Sequence, residues 1–319
     1  PCRGLAPPRI AQAAARHRGG DARRIRIAIA ALQRIGDGNR EQSADRVVAQ
    51  ALAQAVERVP RHARPRGIVH EQPVVGRTVL RQFAQRVAHG LGPRRAAAAQ
   101  RDDGYLDSYF QVSQPGQEFT DLQWGHELYT LGHLVQAAIA WHRAAGDDRL
   151  LRIVERAVDL VDARFGPRGR AFVDGHPEIE MALVELYRTT GESRHLELAR
   201  TLLERRGHGL LGEGRFGARY WQDHEPVRSA PDPVGHAVRQ VYLDCGAVDL
   251  AVETGDPELL RAVIQRWERM VASKTYLTGA LGSRHRDESF GDPFELPPDR
   301  AYAETCAAIG SVMLSWRLL

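Results

Sequence analysis

One unit recurs three times between residues 126 and 274, and it constrains the fold before any composition is counted. A helix begins at a histidine, runs to a Gly-containing turn, and is followed by a second helix. His126 leads to Ala145-Gly146 and then to residues 147–165; His176 leads to Thr190-Gly191 and then to 192–206; His236 leads to Thr254-Gly255 and then to 256–274. In each unit an acidic residue follows the turn glycine, where it meets the positive end of the next helix dipole. Apolar residues recur at helical spacing, as in Leu183, Leu186 and Tyr187, or Leu259, Val263 and Trp267. Such a chain is all-α and made of αα-hairpins, and about six hairpins in a ring close an α/α barrel whose first helices line the inside. Three hairpins and the first helix of a fourth, residues 301–318, are visible, so the expected fold is an incomplete (α/α)6-type barrel.

This register has a functional consequence. Equivalent inner helices start at the same end of a barrel, so His126, His176 and His236 are expected to ring one mouth. Glu304 and Cys306 open the next inner helix and should join them. The long returns 166–175, 207–235 and 277–300 lie at that end too, and binding sites commonly sit on loops held by a rigid scaffold.

Composition narrows the class. The chain of 319 residues is 43% hydrophobic and 26% charged, as in soluble globular proteins. No apolar run approaches the roughly 20 residues of a membrane span, so no membrane partner is expected. The first residues carry no apolar core of signal-peptide type, and the cysteines Cys2, Cys245 and Cys306 are too scattered for a disulfide framework. A cytoplasmic protein is the resulting expectation.

The net charge of +4 hides an asymmetry: residues 1–100 hold 19 Arg and no Lys against 6 acidic residues. The arm has Phe83 as its only aromatic residue and shows no recognition motif, so no nucleic-acid partner is expected despite its charge. Two stretches, 42–58 and 79–88, could be helical, but neither has a sustained apolar stripe. Residues 1–96 are therefore expected to be poorly ordered and foreign to the rest, as a frame error or a wrong start in Arg-rich coding sequence would make them; a divergent native region is the alternative. The pattern changes near Ala97, and residues 97–319 form the second region.

Read on their own, the candidate site residues leave two meanings open. Glu304 and Cys306 could be metal ligands or a surface Glu beside a helix-packing Cys; residues i and i+2 point apart on a regular helix and converge only where the chain is just entering one. Glu288 could be an acid/base or a solvated loop residue, with Phe290 and Phe294 available to shield it. The histidines could bind a ligand or cap helices. Trp124, Tyr129, Tyr220 and Trp221 could offer apolar faces to a ligand or fill the core. His133 and His142 fall later in their helix and read as structural, and Cys245 reads as a small buried hydrophobe.

Several motifs, in a fixed order, carry a resemblance that separates these meanings. DGYLDSYF from Asp103, HELYTLGHL from His126, GHPEIEMALVELYR from Gly175, GHAVRQVYL from Gly235, DESFG from Asp287 and LPPDRAYAETCAAIG from Leu296 together resemble the β-L-arabinofuranosidases of glycoside hydrolase family 127. The resemblance implies a retaining glycosidase acting on terminal β-L-arabinofuranosyl groups, hence a carbohydrate partner. It makes Glu288 the general acid/base, His126, His176 and His236 sugar contacts, and Glu304 and Cys306 zinc ligands. The family completes its zinc site with two further cysteines downstream, one of them the nucleophile. This chain has no such pair, so weak or absent zinc binding and no turnover are expected of it. A metal-free epimerase or lyase relative is the alternative if Glu304 and Cys306 face away from the cavity, and a helical-repeat scaffold if no His-lined pocket forms. The linkage and the oligomeric state stay open.

Overall fold

A computed structural model describes residues 92–121 and 123–319. The expectations for residues 1–91, including both possible helices there, lie outside the described residues. Among the described residues there are nine α-helices, one 3-10 turn and no strand, only isolated β-bridges. The fold is all-α.

Two short helices, α1 (Pro93–Ala99) and α2 (Ser108–Ser113), precede the repeats. Three hairpins follow: α3 (Glu127–Ala145) with α4 (Arg149–Phe165), α5 (Ile179–Thr190) with α6 (Ser193–Arg205), and α7 (Ala237–Thr254) with α8 (Pro257–Ser273). Helix α9 (Thr305–Leu318) is the first helix of the fourth unit. Helical order starts ahead of residue 97, since α1 packs on α4.

The packing order gives the layers. Helices α3, α5, α7 and α9 touch in that sequence and form one layer; α4, α6 and α8 each lie against the first helix of their own hairpin. The second helices are amphipathic, as their spacing predicts. In α4 the buried residues are Leu151, Ile153, Val154, Ala157, Val158, Val161 and Phe165, a stripe at helical spacing. The first helices have less free surface. Helix α7 is buried at every position from Ala237 to Ala251, enclosed by α5, α6, α8 and α9.

The turns between paired helices close on Gly146, Gly191 and Gly255, which take the left-handed conformation at φ 67°, 76° and 65°. The acid after each glycine behaves less uniformly than expected. Asp256 caps α8, accepting from the backbone N–H groups of Glu258 and Leu259, with Pro257 in the first turn. Glu192 precedes α6 without a side-chain cap bond, and Asp147 accepts from both the backbone N–H and the guanidinium of Arg149, the first residue of α4. Helix α9 also starts later than the expected residue 301. The Ala303 N–H donates to Gly282 O and Glu304 forms a bridge with Leu281, so these residues are held extended before the helix begins.

Candidate active site

The three histidines meet at one end of the helical layer. His126 and His236 are the residues immediately before α3 and α7, and His176 lies three residues before α5. Ring centroids of His126 and His176 are 5.8 Å apart, as are those of His176 and His236. Each follows a glycine, a recurring dipeptide that the helix register alone did not single out. At Gly175 an added Cβ would lie 2.1 Å from Gln123 O, and at Gly235 2.2 Å from Arg219 O. The chain can bring these histidines together only because its backbones approach that closely.

The hydrogen bonds fix the tautomers. Carbonyl oxygens only accept, so His126 Nδ1–H donates to Trp124 O and His176 Nδ1–H to Pro177 O. Each ring then keeps an acceptor at Nε2. His236 is reversed: its Nδ1 faces the Arg239 N–H, and its Nε2–H donates to Glu288 Oε2 at 2.8 Å. Burial, with the Arg239 cation second, pushes His236 down to about 4, and the same two causes, in the same order, hold His176 well below the ordinary histidine range. Both imidazoles are neutral near pH 7.

Glu288 arrives on the long return between α8 and α9. Its loop docks by backbone bonds: Ala237 N–H donates to Glu288 O and Phe290 N–H to Gly235 O. Glu288 takes φ 59° and His126 φ 57°, left-handed values that cost a side-chain-bearing residue energy and concentrate at functional sites. Phe290 is buried beside this loop, whereas Phe294 is 76% exposed and shields nothing. Glu304 stands where the chain turns from extended to helical, which lets it and Cys306 share a cleft. Ligand atoms of His236, Glu288 and Glu304 lie within 4.8 Å of one another, and Glu304 Oε2 is buried without a hydrogen-bond partner among the described residues. Carboxylates suit zinc, and the orphaned oxygen of Glu304 fits a cation, whereas both ring nitrogens of His236 are engaged with Glu288 and the Arg239 N–H. Cys306 lines the same cleft but falls outside that triad, and burial, then Glu304, raises its thiol. The expected pair, Glu304 and Cys306, lies in this cleft, with His236 and Glu288 beside Glu304.

All six candidate residues line one cleft of about 430 Å³, together with Trp124, Tyr129, Tyr220 and Arg239. Trp221 lies behind that wall, fully buried. Neither alternative finds its mark: Glu304 and Cys306 line the cavity, and the pocket is lined by histidines. His133 contacts Tyr129 and sits 3.3 Å from the buried Glu178, while Cys245 is fully buried.

The family model for the β-L-arabinofuranosidase GH127 catalytic domain matches residues 83–319. The chain belongs to glycoside hydrolase family 127. A curated relative, a non-reducing end β-L-arabinofuranosidase of Bifidobacterium longum subsp. longum, is 37% identical over 245 residues, covering 70% of this chain and 37% of the relative. A crystal structure of a GH127 β-L-arabinofuranosidase from Geobacillus stearothermophilus T6 superposes with a TM-score of 0.70 at 32% identity, over 90% of this chain and 48% of that one. A second GH127 β-arabinofuranosidase structure gives 0.67 at 34% identity, over 81% and 43%. The chain spans less than half the length of these relatives. The match begins ahead of residue 97, the start expected from the motifs.

In this family 127 chain, buried residues behind the cleft hold its loops, and several escaped the sequence reading. The Asp174 carboxylate accepts from the backbone N–H groups of Leu128 and His176, tying the starts of two hairpins together. Arg206, fully buried, donates to Asp174 O and Trp221 O. Lys274 donates to Pro233 O and Gly291 O, fastening the Glu288 loop to the segment before His236.

Proposed function

We propose that this chain carries the sugar-binding and acid/base part of a retaining β-L-arabinofuranosidase site, in an α/α barrel that its hairpins build in part. The observation that carries this reading is the meeting of Glu288 with neutral His236 and Glu304 in a cleft lined by two further histidines. A cleft of this volume suits a small ligand. His126 and His176 keep an acceptor nitrogen that can take a proton from a sugar hydroxyl in a hydrogen bond, and Tyr129, Trp124 and Tyr220 offer apolar faces. Glu288 gives its proton to the leaving oxygen as the glycosidic bond breaks, then takes one from the water that releases the sugar. The His236 Nε2–H holds the Glu288 carboxylate in place between those two roles.

Glu304 and Cys306 are the residues that would hold zinc; bound there, zinc keeps cysteine ligands deprotonated. We assign the nucleophile to neither described thiol. Cys245 is fully buried away from the cleft, and Cys306 is a ligand candidate. The 319 residues alone should then bind methyl β-L-arabinofuranoside but not hydrolyse an aryl β-L-arabinofuranoside, and should take up zinc weakly. A longer protein that includes the family's cysteine pair should gain both properties. In it, Glu288→Gln should slow substrates with poor leaving groups most, since those depend on protonation. Tight one-to-one zinc with turnover in the 319-residue chain would show the nucleophile to be misassigned; failure to bind the sugar would remove the functional reading itself.

A further inference from the structure

Arg239 is a buried cation that makes no ion pair with a carboxylate among the described residues. It lies on the first turn of α7, three residues after His236, and is 2% exposed. Its guanidinium carbon is 5.4 Å from the Trp124 ring centroid, 5.1 Å from Tyr220 and 4.6 Å from Trp221. Nη1 donates to Gly175 O at 2.9 Å, and Nε is buried without a partner among the described residues. Burial lowers its affinity for a proton, to about 10.

These contacts reach every hairpin that supplies a histidine. Trp124 stands two residues before His126, Gly175 one residue before His176, and Arg239 shares its helical turn with His236. Tyr220 and Trp221 belong to the 3-10 turn (Ala218–Trp221) on the return that leads to His236. A neutral amide could satisfy Gly175 O alone. Contact with three rings at once requires a flat, delocalised cation, because cation–π attraction acts on the ring faces and a planar guanidinium can stack where an ammonium cannot. An unpaired buried charge is otherwise costly, so the aromatic contacts are the compensation the site provides.

We propose that Arg239 is the positioning residue of the sugar cleft: its stacked guanidinium fixes the Trp124–Tyr220–Trp221 wall and the His176 loop as one unit, and ligand affinity depends on that stacking more than on the charge. The substrate class rests on the reading above; the role of Arg239 rests on the contacts.

The test compares Arg239→Lys, which keeps the charge and loses the plane, with Arg266→Lys. Arg266 is equally buried, and it pairs with Asp244 and donates to Val227 O and Ala230 O away from the cleft. Two measurements are made well below each variant's melting temperature. Without sugar, the indole N–H NMR signals of Trp124 and Trp221 should shift and broaden in Arg239→Lys and stay in place in Arg266→Lys. With methyl β-L-arabinofuranoside, Arg239→Lys should bind about tenfold more weakly, the scale of a desolvated cation–π contact, while Arg266→Lys binds as the parent does. Unchanged indole signals in Arg239→Lys, or equal disturbance by both variants, would overturn the proposal. If the parent itself binds no arabinofuranoside, the functional reading falls, and the indole signals still decide the role of Arg239.

Discussion

The two ends of the helical layer use charge in opposite ways. At the turn end, cations pair with carboxylates. Arg188 meets Glu185, Asp249 and Glu253; Arg317 meets Asp249; Arg143 meets Glu185. One partly exposed network thereby joins α3, α5, α7 and α9 just before the Gly turns. At the mouth end, buried cations donate mainly to backbone carbonyls: Arg206 to Trp221 and Asp174, Lys274 to Pro233 and Gly291, Arg239 to Gly175. The difference follows from chain length. Tight turns satisfy their own backbone, whereas long returns folded inward leave carbonyls that something must satisfy. Mouth-end carboxylates are correspondingly caught between backbone N–H groups, as Asp174 is, and burial raises Asp174, Glu127 and Glu178 above the usual range. Buried cations thus tie the loops of the rim together, as the proposed sugar site requires.

The strongest way to break this comparison is to remove a mouth-end cation. Arg206→Met deletes both carbonyl bonds and the cation 3.7 Å from the Glu180 carboxylate, leaving buried polar groups without a partner. We expect a loss of about 3–5 kcal/mol, the cost of leaving buried charges uncompensated. Calorimetry should show the melting temperature falling by about 10 °C. A fall of only one or two degrees would mean that the loops are held by packing alone.

A second, smaller effect depends on pH. Glu127 opens α3, accepting from the Tyr105 O–H and, at 2.8 Å, from the Phe119 N–H. Burial nevertheless pushes its carboxyl from 4.5 up to about 7. The folded state therefore holds this proton more tightly than the unfolded chain does. Its contribution is fully present below about 4.5 and is lost as pH rises through about 7, amounting to about 3 kcal/mol. Glu127→Gln should flatten the stability profile measured by urea unfolding between pH 5 and 8. A profile unchanged by the substitution would place the titration elsewhere.

What the sequence revealed divides along the same line. The turn end was legible because glycine at a helix end and an apolar stripe at helical spacing are local signals; Leu259 and Val263 are buried in α8 as that spacing requires, and Trp267 is half-buried against the core. The histidines were legible because the repeat carried them in register. The mouth's supports were not. Arg206, Arg239 and Lys274 are three of 44 basic residues, and their partners are carbonyls, which every residue has and no spacing marks. The start of α9 was missed for a related reason: a backbone bond to Gly282 and a bridge to Leu281, 21 and 23 residues earlier, hold residues that have helical composition. Phe294 illustrates the converse, an apolar loop residue that the backbone turns outward at φ 67°.

The smallest expected effect lies at the turn end, and its size sharpens the contrast. Arg188 donates from Nε to Glu253 at 2.7 Å and from Nη1 to Asp249 at 3.0 Å, with its side chain 27% exposed. Water reaches this network, so removing one member leaves carboxylates that solvent and Arg317 can still serve. Arg188→Gln should cost about 0.5–1 kcal/mol, the scale of pairs that solvent screens. The difference from the parent should shrink as salt is raised from 50 mM to about 0.5 M, because the Debye length falls from roughly 14 Å to roughly 4 Å and solvent-exposed pairs are screened. Affinity for methyl β-L-arabinofuranoside should not change, since no group of this network lines the cleft. A loss as large as that of Arg206→Met, insensitive to salt, would mean that the two ends are built alike and that burial, rather than the choice of partner, sets what each cation contributes.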